Sequence, residues 1–359
     1  METEASVDAM IATFERALEG RPGYALGMAG LAEVARREKR PLKAYELACK
    51  ALAAAPDDPE VVVRARRLLH GLAPRYHVRM MNEPGRNAAW DSALRRAIGP
   101  QTRALEIGTG AGMLALMAAR AGARKVTTCE ISPLMARLAS QIVEANGYAD
   151  RIDVVAKSSL DLAVGVDLDE PADLLFCDIF GDDLVSFDPL PLVADARRRL
   201  CKPDARVIPA AAVLRVALAH FEQYPLLAQI SSAAGFDFAP FAGFAPAKVE
   251  TPVGTPGLKL LSEPADLFRF DLASDHPRQG RAEVALQAAE DALLNGVIGW
   301  LRLELDAETA LDARPDPDKR AFARPAFWPL PAPVQVRRGD VIRVCGEHRE
   351  SVLTIWRGA

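Results

Sequence analysis

Cysteine is scarce in this 359-residue chain: five residues, Cys49, Cys129, Cys177, Cys201 and Cys345, odd in number and widely dispersed. That pattern excludes a dense disulfide framework and leads us to expect a reduced, cytoplasmic protein. No apolar run reaches the length of a membrane span, and the Met1-Glu2-Thr3-Glu4 start has no basic region of the kind that opens a secretory leader, so neither a membrane nor a leader is expected. Long basic tracts are missing as well. With a formal charge of -4 and Lys and Arg scattered among Asp and Glu, nothing points to an electrostatic grip on nucleic acid. No metal site is expected. What the chain does have is apolar content: 50% of its residues are hydrophobic, ample for the cores of two or three domains.

The stretch that organises the rest is Ala104-Leu105-Glu106-Ile107-Gly108-Thr109-Gly110-Ala111-Gly112. An apolar strand runs into three glycines spaced two apart, a helix-like run comes next, and a second strand ends on Glu130, 18 residues after Gly112. In a nucleotide-binding βαβ unit the glycines permit a tight turn and close ligand approach, and the acid after the second strand takes ribose hydroxyls. Glycines alone also serve purely structural turns. Glu106 adds information, because an acid at the end of the first strand is awkward beside a pyrophosphate but suits an ammonium or sulfonium. S-adenosylmethionine is therefore favoured over a dinucleotide.

Residues 1 to about 70 read as helices. Ala17-Leu18 and Pro22 recur as Ala51-Leu52 and Pro56, displaced by 34 residues, with Leu31, Ala32, Ala35, Ala44 and Ala48 between them. The spacing resembles tetratricopeptide repeats, whose small residues let paired helices pack closely. Such helices either support a neighbouring domain or bind a protein partner. Next, Tyr76 to Trp90 reads as a helical approach interrupted at Pro84-Gly85, with Met80, Met81 and Arg86 placed to cover a ligand and neutralise its carboxylate.

From Thr102 to about Leu218 strand-like runs fall at 103–107, 126–129, 152–155, 173–177 and 204–208, separated by helices such as Leu134–Val143 and Pro191–Leu200. This rhythm predicts a parallel sheet. The third strand ends in Lys157-Ser158-Ser159, a polar position suited to an adenine edge. The fourth ends in Asp178-Ile179-Phe180-Gly181-Asp182-Asp183, and Asp188 comes shortly after, giving four acids near the expected crevice. Beyond residue 208 short alternating runs at 213–218, 258–261, 268–272, 299–305, 334–336, 341–345 and 352–356, joined by proline-rich connectors, predict an antiparallel barrel or sandwich. The loop Thr309 to Pro333 is expected to order against the substrate face. The domain division expected is 1–70, 71–212 and 213–359.

In this order the motifs resemble the protein arginine methyltransferase family, over roughly residues 72 to 359. The resemblance rests on Met80-Met81 through Arg86-Asn87, the glycine loop, Cys129-Glu130 and a nucleotide domain followed by a β-rich one. Ala234-Gly235-Phe236-Asp237, Leu260-Leu261-Ser262-Glu263-Pro264 and Pro333 to Asp340 are similar to the family's later turns. It implies a class I methyltransferase domain joined to a β barrel, commonly as a homodimer, acting with S-adenosylmethionine on arginine in a peptide or protein. Carried over residue by residue, Arg86 binds the cofactor's methionine carboxylate, Gly108 and Gly110 allow its close approach, Glu130 takes its ribose, Ser159 lies near its adenine, and Met81 presses on the sulfonium. Asp178 and Asp188 become the acids that hold the acceptor. The sequence departs from the family in two ways. Where the family spaces a second glutamate nine residues after its first, this chain has Phe187, one position before Asp188; and no threonine-histidine-tryptophan segment matches, Phe327-Trp328 being a poor counterpart. These departures leave open a small-molecule or other side-chain acceptor, and a cofactor-binding interaction protein without activity.

Overall fold

The computed structural model describes residues 2–74, 76–224, 230, 232–251, 257–316 and 323–358, without the side chains of residues 2–6. Four helices open the chain: α1 (Glu2–Leu18), α2 (Tyr24–Arg37), α3 (Pro41–Ala54) and α4 (Pro59–Leu72). Ala32, Ala35, Ala44, Ala48 and Ala51 are fully buried where α2 meets α3, since only small side chains let two helix backbones come this close. Asp58 caps α4, accepting N–H bonds from Glu60 and Val61, with Pro59 at the first helical position. These helices enclose a core of their own. They also dock on the parallel-sheet part of the chain: α3 packs against the later helix α8 (Pro133–Ala145), and the Tyr45 hydroxyl donates to Gln141 there at 3.4 Å.

A short helix α5 (Tyr76–Met81) and α6 (Pro84–Ala97) lead into the expected parallel sheet. Its strands are β1 (Arg103–Ile107), β2 (Lys125–Cys129), β3 (Ile152–Val155), β4 (Ala172–Cys177) and β5 (Cys201–Ile208), with α7 (Met113–Arg120), α8 and α9 (Pro189–Arg199) as crossovers. The spatial order β3-β2-β1-β4-β5 reverses direction between β1 and β4, and every pairing is parallel. Leu105, Ile107, Leu174, Leu175 and Phe176 are buried, because crossover helices cover a parallel sheet and leave its central strands little contact with water. In such a sheet the crevice for a ligand opens beyond the carboxyl ends of the strands that flank the reversal.

The remaining strands are antiparallel: β6 (Ala211–Phe221), β7 (Ser232–Ala233), β8 (Phe236–Asp237), β9 (Val249–Glu250), β10 (Leu258–Leu260), β11 (Ala265–Asp271), β12 (Gln279–Gln287), β13 (Ala292–Glu304), β14 (Ala310–Asp312), β15 (Ala326–Val336), β16 (Val341–Arg349) and β17 (Val352–Arg357). One sheet runs β10-β6-β13-β15-β9, with β11 also on β6 and β14 on β13; a second runs β12-β16-β17, and β7 and β8 form a small hairpin. The sheets pack through side chains such as His348 of β16, buried edge-on against Phe268 and Phe270 at 5.2 and 5.3 Å. The arrangement is one of antiparallel sheets, without a closed barrel among the described pairings. Part of the loop expected from Thr309 to Pro333 is strand, in β14 and the start of β15, and residues 317–322 lie outside the described residues.

Candidate active site

A crevice of about 650 Å³ opens where the sheet order reverses, lined by the ends of β1, β2 and β4, by α5 above them, and by residues of β9 and β15 from the antiparallel sheet. Gly108, Gly110 and Gly112 all have left-handed backbones, at φ of 83°, 53° and 82°. Two of them face close neighbours as well: a Cβ on Gly108 would lie 2.5 Å from Ile179 Cγ2, and one on Gly110 would lie 3.1 Å from His77 Cε1. The turn therefore requires glycine twice over, for conformation and for space. The amides of Gly108 and Thr109 both donate to the Cys129 carbonyl at 3.0 Å, which ties the loop to the end of β2.

Two carboxylates organise the floor. Glu106 is buried and accepts a bond from the Thr128 hydroxyl at 2.6 Å. The Thr109 and Thr128 hydroxyl oxygens lie 2.6 Å apart, so the chain of bonds runs on from Glu106 through Thr128 to Thr109. Burial pushes the pKa of Glu106 up to about 8, with the Thr128 bond and Arg86 opposing and Glu130 and Asp178 reinforcing. Glu130 accepts the Gly110 amide on one oxygen at 3.0 Å and the Ser132 amide on the other at 2.9 Å. A carboxylate offers about four acceptor positions, so two remain for a pair of hydroxyl groups. Ser159 is buried at the start of a single 3₁₀ turn and lines the crevice; Met80 and Met81 line it from α5.

Arg86, on the first turn of α6, is buried beside Asp178, which comes directly after β4. Its Nε donates to Asp178 Oδ2 at 2.9 Å, its Nη2 donates to the same oxygen, and its Nη1 donates to Asn87 at 3.3 Å. Three of the five guanidinium N–H groups are thus used and two remain for a second anion. Asp178 Oδ1 takes no bond among the described residues.

The acid loop after Asp178 differs from expectation at Asp188. That residue begins α9 with a left-handed backbone, pairs with Arg278 at 2.9 Å and does not line the crevice, so the structure does not bring it together with Asp178. Phe187 does line the crevice. Asp183 is buried, accepts from the Ser186 amide and hydroxyl, and pairs with Lys248 at 2.6 Å. Burial works to raise its pKa, but Lys248 and Ser186 prevail and hold it below the usual carboxylate range. Asp182 lines the crevice with one bond, from the Arg324 amide at 2.8 Å, and burial raises its pKa.

Several site residues lay outside the sequence reading. His77 sits over Gly110, its ring tilted by 39° against that of Tyr76 at 4.3 Å between ring centres; burial lowers its pKa while Glu130 opposes. It belongs to a stretch read for its methionines and arginine only. Thr128 and Thr109 carried a signal in hindsight, since a hydroxyl next to a buried acid satisfies it. Lys248 carried none, being joined to the loop at Asp183 only by tertiary folding.

This donor set suits a cofactor with a cationic centre near Glu106, a carboxylate within reach of Arg86 and vicinal hydroxyls at Glu130. The fold and site define an S-adenosylmethionine-dependent methyltransferase. A family model for ribosomal protein L11 methyltransferase (PrmA) matches residues 92–208. The chain is 36% identical over 274 residues to an arginine N(omega)-methyltransferase of Streptomyces achromogenes subsp. streptozoticus, covering 75% of this chain and 74% of that protein. It is 29% identical over 281 residues to protein arginine N-methyltransferase 7 of Drosophila grimshawi, covering 73% of this chain but 39% of that longer protein. Among solved structures, the Trypanosoma brucei PRMT1 enzyme-prozyme complex with AdoHcy superposes with a TM-score of 0.69 at 23% identity, covering 78% of this chain and 90% of that one, a likeness of fold. The chain belongs to the arginine methyltransferase family.

Proposed function

We propose that the protein transfers a methyl group from S-adenosylmethionine to a guanidino nitrogen of arginine. The observation that carries this reading is Asp178: it sits after β4 at the sheet reversal, lines the crevice, and has one oxygen held by buried Arg86 while the other is left for an acceptor. When bound, S-adenosylmethionine supplies an electrophilic methyl carbon, whose bond to sulfur breaks to leave a neutral thioether as the acceptor nitrogen forms the new bond and gives up one proton to water. The chain's own work is alignment and charge. Arg86 uses its remaining N–H groups on the cofactor carboxylate, Gly108 and Gly110 let the cofactor lie against the backbone, and Glu130 accepts the two ribose hydroxyls. Ser159 lies on the adenine side and Met81 covers the sulfonium from α5. Asp178 Oδ1 accepts a guanidinium N–H, which orients the nitrogen and offsets the acceptor's charge. Asp188 has no part in this assignment. The names of the relatives include arginine both as such and within protein, and the sequence expectation was the latter.

Two further readings concern assembly. Phe236, Phe238, Phe241 and Phe244 are all exposed on the β7–β8 hairpin and the 3₁₀ turn after it, an apolar patch that supports a homodimer contact. The opening helices we read as a tetratricopeptide-like scaffold, on the strength of α3 docking to α8.

The test is incubation of the full chain with methyl-labelled S-adenosylmethionine and panels of arginine peptides, proteins and guanidino metabolites, read by mass spectrometry. Label on a guanidino nitrogen, lost in Asp178→Asn while cofactor binding persists, is the expected result. Label only on other groups would refute the assignment.

A further inference from the structure

The charged side chains lining the crevice fall into committed and uncommitted sets. Arg86 is paired with Asp178, Lys248 with Asp183, Lys157 with Asp167, and Glu250 with Arg324. Glu106 and Glu130 accept the hydroxyl and amide bonds that build the cofactor floor. Among the described residues this leaves one cation and one anion without an ion pair, Arg79 on α5 and Asp182 on the loop after β4. Each lines the crevice. Arg79 is near enough to pull down the pKa of Asp182 against the effect of burial, as is Arg324, whose guanidinium is paired with Glu250, yet among the described residues no ion pair joins Asp182 to either. Among the described residues the one hydrogen bond to Asp182 comes from the Arg324 amide, on Oδ1.

Opposite charges in a partly buried crevice, close but held apart, are each short of a partner, and a ligand bearing both charges would satisfy both. Resting on the acceptor reading above, we propose that Arg79 and Asp182 bind the head group of a free α-amino acid, Arg79 taking the α-carboxylate and Asp182 the α-ammonium, while the guanidinium reaches Asp178. The acceptor is then free arginine or a close guanidino amino acid. A residue inside a peptide fits less well, because its flanking amides carry no formal charge to meet either group. Asp182 belongs to the loop after β4 and Arg79 to α5, so the two charges reach the crevice from separate elements. The bond from the Arg324 amide orients Asp182 without neutralising it.

The experiment compares L-arginine, Nα-acetyl-L-arginine amide, which keeps the guanidinium but loses both head-group charges, and arginine peptides as acceptors for the full chain. For the wild type the KM for L-arginine is expected to be at least about tenfold below that for the blocked compound, the scale of one charge-assisted hydrogen bond. Asp182→Asn and Arg79→Met are each expected to shrink that ratio toward one while the affinity for S-adenosylhomocysteine is kept. Equal use of free and blocked arginine, or better use of peptides, would overturn the proposal. Loss of S-adenosylhomocysteine affinity in either variant would assign the pair to the cofactor's own amino-acid end and overturn it equally. Failure of the acceptor reading shows separately, as no guanidino label with any acceptor. In that case calorimetry of L-arginine against the protein saturated with S-adenosylhomocysteine still decides: binding lost in Asp182→Asn supports the head-group site, and binding unchanged by the substitution, or no binding by the wild type, refutes it.

Discussion

Replacing Arg86 by methionine would strand the Asp178 carboxylate where its side chain is only 9% exposed. Removing one partner of a buried ion pair costs about 3–5 kcal/mol, most of it the penalty of an uncompensated charge, whereas replacing both partners by apolar groups is often close to neutral. At about 2.1 cal/mol/K per residue, unfolding a chain of 359 residues carries an entropy of about 0.75 kcal/mol/K, so each kcal/mol moves the melting temperature by about 1.3 °C and Arg86→Met should lower it by roughly 4–7 °C. The double variant Arg86→Met with Asp178→Leu should regain most of the stability. Melting scans of the wild type, both single variants and the double variant, with urea titrations to extract free energies, supply the cycle. If the double variant is as unstable as the sum of the two single ones, the buried charge is not what Arg86 relieves, and the argument fails.

Glu106 gives a pH test. Its folded pKa of about 8 lies above its ordinary value of 4.5, so between those values the folded state holds a proton the unfolded chain has released, and stability falls as pH rises through that window. Glu106→Gln should flatten this part of the profile; parallel profiles for the two proteins, measured by urea midpoints, would contradict it. Deleting residues 1–70 exposes the face of α8 that α3 covers and should lower the melting temperature of the remainder, with an unchanged value counting against the docking of α3 on α8. Phe241→Ser with Phe244→Ser should convert a dimer to a monomer in light scattering, and a wild type that is already monomeric would dispose of the patch as a self-contact.

The parallel sheet was legible because its signals are local: each strand is a short apolar run, and the glycine loop and Glu130 lie within one βαβ unit. Two of the longer strands of the later sheets were obscured for identifiable reasons. β12, with Arg281, Glu283 and alanines alternating along it, has little apolar contrast, and it lies at the edge of its sheet. β15 carries Pro329, Pro331 and Pro333, which argue against a strand. They share one parity, so the missing N–H groups fall on one edge, and past Phe327 the partner β9 has ended. At the site, Asp178 could be found from its place after β4, but the sequence could not show that Asp188 turns toward Arg278, that Lys248 occupies Asp183, or that Asp182 stays unpaired. Each depends on a residue more than 60 positions away.

The ion pair between Lys248 and Asp183 joins the antiparallel half of the chain to the loop that follows β4. The glycine loop, Glu106 and Glu130 lie within the 92–208 span that a family named for a ribosomal protein also matches. Lys248, Glu250, Ala323 and Ala326 reach the same crevice from the antiparallel sheet and the segment leading into it. The crevice is thus closed from both halves, and a graft of residues 92–208 alone would carry the glycine loop and Glu130 without Arg86 and without the residues that wall the crevice from the antiparallel sheet.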